Sequence, residues 1–105
     1  MENLENAHSL LEENITSLTT VTEWGKVCGF DCRKKFSRAY REYFGLRPKE
    51  TLYEIRIQKI KEYMKTFPNE INYCVAVEFG FTNEQGLYKF IKRHTGLSPT
   101  QLRKG

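Results

Sequence analysis

The chain has 105 residues, of which 39% are hydrophobic and 29% charged, a balance that supports a folded core and excludes a disordered tail. Its longest unbroken apolar run is Cys74-Val75-Ala76-Val77, far short of a membrane span, and Met1-Glu2-Asn3-Leu4-Glu5 lacks the basic and apolar regions of a secretory signal. The net charge of +4 is mild, and three cysteines, an odd number, fit a reduced, cytoplasmic setting better than a disulfide framework.

In chain order the elements read as helices, with no sustained period-2 alternation. Leu10, Leu11, Ile15 and Leu18 suggest a first amphipathic helix with a loose start near Ala7. Thr20-Val21-Thr22-Glu23 fits a capping box, in which the Thr oxygen and the later carboxylate satisfy orphan amides, so a second helix starts there. Gly25 and Gly29 bracket a turn, Phe30 plugs the core beneath it, and Asp31 is placed to cap a third helix at about 31–44. Pro48 opens a longer helix at about 48–66, whose Leu52, Ile55, Ile60, Tyr63 and Met64 follow helical spacing. That helix should stop before Phe67-Pro68, because the residue preceding Pro is pushed out of the α region. A short helix through Val75-Ala76 leads to a second turn at Gly80-Phe81. Thr82-Asn83-Glu84-Gln85 is a further capping box, opening a helix at about 82–94, and Ser98-Pro99-Thr100-Gln101 opens the last one.

These elements repeat. Gly29-Phe30 recurs as Gly80-Phe81, and Gly45-Leu46-x-Pro48 as Gly96-Leu97-x-Pro99, both at an offset of 51. At the same offset Trp24-Gly25 falls on Val75-Ala76, Phe36 on Leu87, Ala39 on Phe90 and Tyr40 on Ile91. A duplicated unit of roughly forty-five residues follows, and two copies make two small lobes, too few for a solenoid. Each copy has a small residue four positions before the turn glycine, which lets two helices cross closely, as a helix-turn-helix requires. In copy one Phe36, Ala39, Tyr40 and Phe44 face inward and leave Arg33, Lys34, Ser37, Arg38 and Arg41 outside. In copy two Leu87, Phe90 and Ile91 face inward, leaving Asn83, Glu84, Gln85, Tyr88, Lys89 and Lys92 outside.

Charge follows the same division. Residues 1–28 carry −4, residues 29–49 carry +5, residues 50–78 carry −1 and residues 79–105 carry +4. Concentrating cations on two blocks is the footprint of a polyanion binder, although charge clustering on solvated helices is common enough to leave that point open by itself.

The pattern resembles the AraC/XylS family of bacterial transcription regulators. The residues that carry the resemblance are Trp24-Gly25…Gly29-Phe30, Phe36-x-Arg38-x-Tyr40…Gly45-Leu46-x-Pro48, Leu52…Arg56, Val75-Ala76…Gly80-Phe81, and Leu87-x-Lys89-x-Ile91-Lys92…Gly96-Leu97-Ser98-Pro99…Arg103. The resemblance implies an all-α fold of about seven helices: two homeodomain-like helix-turn-helix lobes joined by a long linker helix. On that basis residues 1–15 form an N-terminal extension leading into the first helix, and 16–105 the DNA-binding domain. Its lobes lie at about 16–46 and 69–105, with the linker at about 48–66. The linker stretch Pro48–Met64 alone spans about 25 Å as a helix, of the same scale as the roughly 34 Å between successive major grooves.

Side chains on the first turns of a groove-bound helix read base edges. Those positions are Arg33, Lys34, Ser37 and Arg38 in copy one, and Glu84, Gln85, Tyr88 and Lys89 in copy two. Arg38 is the first choice, since Arg bonds guanine bidentately; Gln85 suits adenine and Glu84 cytosine. Thr20, Lys35, Arg41, Thr82, Asn83, Lys92 and Arg93 are candidate phosphate contacts, which fix register without carrying sequence information. Each alone could equally be a solvated helix-face group, and Gln85 a capping partner. Gly86, inside the second recognition helix, costs about 1 kcal/mol of helix propensity against Ala. Arg56 and Arg103 sit among apolar neighbours and fit intramolecular or helix-end contacts better than DNA contacts.

Cys28, Cys32 and Cys74, with His8 and His94, show no metal-ligand spacing, and buried small hydrophobes are the expected role of the cysteines. No catalytic motif, cofactor motif or phosphate loop is present, so neither an enzyme nor a cofactor is expected. The reading that follows is a sequence-specific DNA-binding regulator, an activator by the resemblance, cytoplasmic and nucleoid-associated. Its partners would be double-stranded DNA and, by the resemblance, RNA polymerase; this chain would be a monomer, away from membranes. Two other readings remain: the C-terminal DNA-binding part of a longer ligand-responsive regulator, and a basic module that binds an acidic protein.

Overall fold

In the computed structural model, residues 4–104 are described, and they form seven α-helices and no strand. These are α1 (Ala7–Glu13), α2 (Val21–Val27), α3 (Arg33–Phe44), α4 (Pro48–Thr66), α5 (Asn72–Glu78), α6 (Glu84–Thr95) and α7 (Pro99–Lys104). The all-helical class expected from the spacing is the class adopted. The chain divides into two compact units, Met1–Ile55 and Arg56–Gly105.

The duplicated anchors turn out to be two copies of one turn. In the first unit Gly29 has φ 93°, the Phe30 amide donates to the Gly25 carbonyl at 2.9 Å, and the Gly29 amide donates to Lys26 at 3.0 Å. In the second unit Gly80 has φ 81°, with Phe81 donating to Ala76 at 2.8 Å and Gly80 to Val77 at 3.1 Å. Both sets satisfy the last carbonyls of a helix through a left-handed residue, the Schellman arrangement, which explains why glycine stands at both places. Close crossing explains Gly25 separately: a Cβ there would lie 3.0 Å from Phe36 Cβ and Cγ.

The first unit is built on aromatic rings. Trp24 is fully buried, its indole N–H donates to the Ala7 carbonyl at 2.8 Å, and it meets Phe36 and Tyr40 edge-on at 5.2 Å each. His8 Nε2 shares a 2.6 Å hydrogen bond with the Tyr40 hydroxyl, which donates to Thr51 Oγ1 at 3.0 Å. The stretch read as an extension, 1–15, therefore contains α1, and α1 supplies groups to the core of the first unit. Burial pushes the Tyr40 phenol up from its ordinary value.

Along α4 the buried residues are Pro48, Leu52, Arg56, Ile60 and Met64, a run at four-residue spacing, while Ile55 and Tyr63 are only half-buried. The helix stops at Thr66, as the Phe67-Pro68 pair requires. In the second unit the core residues include Ile60, Met64, Val75, Ala76, Phe79, Leu87, Ile91 and Leu102. Arg56 is 3% exposed; its guanidinium donates to the Phe79 carbonyl at 2.6 Å and lies over the Phe81 and Phe90 rings at 5.3 and 5.6 Å. It closes the C-terminal end of α5, a helix-end contact as the sequence suggested. Arg103 donates to Pro68 O at 3.2 Å and Asn72 Oδ1 at 2.8 Å.

Helix starts confirm two capping boxes and correct two details. Thr20 Oγ1 accepts from the Glu23 amide at 3.2 Å, and Ser98 and Gln101 bond reciprocally at 3.2 and 2.9 Å. Asp31, however, is not the cap of α3; Cys32 occupies that position in extended conformation, because the turn through Gly29 and Phe30 runs one residue further before the helix begins. Likewise Asn83, not Thr82, caps α6: its Oδ1 accepts from the Gly86 amide at 2.9 Å. The helices expected at about 31–44 and 82–94 are thus Arg33–Phe44 and Glu84–Thr95, each starting two residues later than expected. The cysteines are corrected too: Cys28 is buried, but Cys32 and Cys74 are exposed.

Candidate nucleic-acid interface

In the first unit α3 buries Phe36 and Tyr40, so helical geometry turns Arg33, Lys34, Arg38 and Arg41 to solvent, with Ser37 half-buried among them. These five side chains line one open cavity of about 460 Å³, together with Val21, Arg47, Pro48 and Lys49. Arg38 and Arg41 also line a neighbouring hollow with Glu42 and Gly45. Among the described residues none of Arg33, Lys34, Arg38, Arg41 and Arg47 is paired with a carboxylate. Lys35, by contrast, pairs with Asp31 at 3.5 Å on an exposed surface, an interaction that contributes little.

Like charges gathered without a paired carboxylate repel one another, and a bound anion relieves what water and salt leave unscreened. Every copy-one base-reading candidate falls at this cavity. Arg47 and Lys49 also line it and were not singled out from sequence; both belong to the +5 block of residues 29–49, which was the available signal. The N-terminal end of α3 adds to the field: the amides of Lys35 and Lys34 hold the Cys32 thiol below its ordinary value.

Thr20 is exposed at the start of α2, but its hydroxyl donates to Glu23 Oε1 at 3.1 Å. The Glu23 carboxylate, held below its ordinary value chiefly by the Thr19 hydroxyl, also accepts from the Thr19 amide at 3.3 Å. A phosphate arriving at Thr20 has to share that place.

In the second unit Glu84, Gln85 and Tyr88 of α6 line a smaller hollow of about 160 Å³ with Asn72 and Pro99. Tyr88 is 49% exposed, a large aromatic surface left in solvent. Since Asn83 alone caps α6, the Gln85 side chain is not used as a capping partner. Thr82, Asn83, Lys89, Lys92 and Arg93 are all exposed, the basic ones lying further along the helix. Gly86 has an ordinary helical backbone, and a Cβ there would meet Phe81 Cδ1 at 3.5 Å, a normal contact; the fold does not demand glycine. Among the described residues no group of three or more His, Cys, Asp or Glu side chains gathers to hold a metal, and no helix is long and apolar enough to cross a membrane.

The helix-turn-helix domain family matches residues 44–105, more than half of the chain. No curated protein matches it. Among solved structures it is similar to a transcriptional regulator with an AraC-type DNA-binding domain from Chromobacterium violaceum, at 20% identity and a TM-score of 0.74, covering 96% of this chain and 88% of that one. It is also similar to the DNA-binding domain of the global transcriptional factor AdpA, solved in complex with a target DNA, at 21% identity and a TM-score of 0.77, covering 99% and 92%. Two copies of one helix-turn-helix, seven helices in this order and the family match converge: the chain belongs to the AraC-type helix-turn-helix family of DNA-binding transcription regulators.

Proposed function

We propose that the chain binds double-stranded DNA sequence-specifically, with α3 and α6 each entering a major groove of an asymmetric site, in adjacent grooves. The observation that carries this reading is the set of unpaired cations on α3, Arg33, Lys34, Arg38 and Arg41, around one open cavity. Arg38 reads guanine, with Arg33, Lys34 and Ser37 beside it; Gln85, Glu84, Tyr88 and Lys89 read the second groove. Lys35, Arg41, Lys92, Arg93, Thr20, Thr82 and Asn83 hold phosphates. The similarity to AdpA, whose DNA-binding domain was solved on a target DNA, supports the reading. The chain acts as an activator that contacts RNA polymerase, and the same scheme holds if it is the DNA-binding part of a longer ligand-responsive regulator.

Selection of bound sequences from random duplex, with the chain as bait, tests the proposal. Enrichment of one asymmetric site longer than a single helical turn is expected. Flat, weak, salt-sensitive retention of every duplex would instead favour a basic module for an acidic protein partner.

A further inference from the structure

The duplication allows each position of one unit to be compared with its counterpart in the other. Ser98 and Arg47 occupy the same place, directly before the proline that opens a helix. Ser98 O accepts from Leu102 N at 2.9 Å and Arg47 O accepts from Thr51 N at 3.4 Å, so both are N-cap positions. At Ser98 the side chain does what a cap should: its hydroxyl accepts from Gln101 N while Gln101 Oε1 accepts from Ser98 N. Arginine has only donors and cannot accept from a helix amide. The first copy therefore forgoes a cap at α4 and places an exposed guanidinium there, without a carboxylate partner among the described residues. That guanidinium and Lys49 line the same cavity as the α3 cations. A residue that local helix chemistry disfavours, added to an already repulsive cluster, points to an anion held at the α4 edge of that cavity.

We infer that Arg47 and Lys49 form a second backbone-gripping edge of the first unit, holding phosphodiester groups of the duplex while α3 occupies the groove. The inference rests on the DNA-binding reading proposed above and extends it to two residues at the start of α4. These side chains set affinity and register and do not read bases; Arg47 contributes one ionic phosphate contact, and Lys49, whose ammonium also lies 5.7 Å from the Tyr53 ring, a second.

The test measures binding of the whole chain to a duplex selected by the wild type, and to a random-sequence duplex, over a range of salt. Arg47→Ser restores the residue that caps the counterpart helix. It should lower the slope of log affinity against log salt by about 0.9, weaken both duplexes by the same factor and leave the melting temperature level or raised. Arg47→Lys should keep the wild-type slope, and Lys49→Ala should lose a similar increment. An unchanged slope and affinity in Arg47→Ser, with the wild type binding normally, would overturn this inference alone. Weakening confined to the selected duplex would also overturn it, making Arg47 a base reader. A wild-type chain with no salt-dependent duplex affinity would overturn the DNA-binding reading as well.

Discussion

Substituting Gly25 by alanine probes the crossing of α2 and α3 that the whole first unit depends on. The new Cβ would sit 3.0 Å from Phe36 Cβ and Cγ and 3.2 Å from its Cδ2. Phe36 cannot swing aside: it is fully buried, with Trp24 at 5.2 Å, Phe30 at 5.3 Å and Tyr40 at 5.8 Å around its ring. Its Cβ is carried by the α3 backbone, so relief requires α3 to move outward. Overpacking of this kind costs about 1–3 kcal/mol, against which alanine regains about 1 kcal/mol of helix propensity. The net expectation is a loss of about 1 kcal/mol, or about 4–8 °C in melting temperature for a domain this size. Trp24 is the single tryptophan and lies in the first unit, so urea unfolding followed by its fluorescence reports on that unit directly. Gly86→Ala is the matched control, since its Cβ meets nothing closer than 3.5 Å; followed by circular dichroism, it should stabilise by roughly 0.5–1 kcal/mol. A Gly25→Ala chain as stable as the wild type, or a destabilised Gly86→Ala, would refute the reasoning.

Three further expectations follow from named contacts. Arg38→Ala should relax preference at one base pair by about 1–3 kcal/mol, whereas Lys92→Ala should weaken all sequences equally and lower the salt slope by about 0.9, both read by anisotropy titrations on selected and singly altered duplexes. Arg56→Ala orphans the Phe79 carbonyl at the end of α5 and strips the cation from two rings, so calorimetry should show about 2–4 kcal/mol lost from the second unit; an unchanged transition would contradict that role. For the thiols, Cys32 is exposed and held below its ordinary value by the Lys35 and Lys34 amides, while burial raises Cys28 to about 11. A lowered value means thiolate already present at a lower pH, so iodoacetamide should modify Cys32 well before Cys28, which is both buried and raised. Mass spectrometry after partial alkylation checks the order.

Much of this architecture was legible from residue spacing, because strong local signals coincided. Pro48 and Phe67-Pro68 bounded α4 on steric grounds alone, and the Gly29 and Gly80 pair marked two helix ends that only a left-handed residue can close. What spacing left open were choices between adjacent competent residues. Asp31 and Cys32 both precede α3, and Thr82 and Asn83 both precede α6; which one caps depends on how far each turn runs before its helix starts, a tertiary matter. Exposure of Cys32 goes with its place at the start of α3, whereas Cys74 lies on the exposed side of α5, next to the buried Val75 and Ala76. The buried seam of α4 was read with Ile55 and Tyr63 in place of Arg56, since periodicity rewards apolar residues and Arg56 is buried through its carbonyl and ring contacts. Arg47 and Lys49 were hidden for a different reason: they come from α4 and its approach, and share a cavity with α3 only once the turn at Gly45 is formed.

The most direct test of the central idea is to titrate the isotopically labelled chain with its selected duplex and follow the backbone amides by NMR. The account predicts that the largest shifts fall on the first two turns of α3 and α6 and on the amides of Arg47 and Lys49, and shrink as salt is raised. Shifts concentrated on the amides of α5 around its exposed apolar Tyr73 and Val77, with α3 silent, would contradict it.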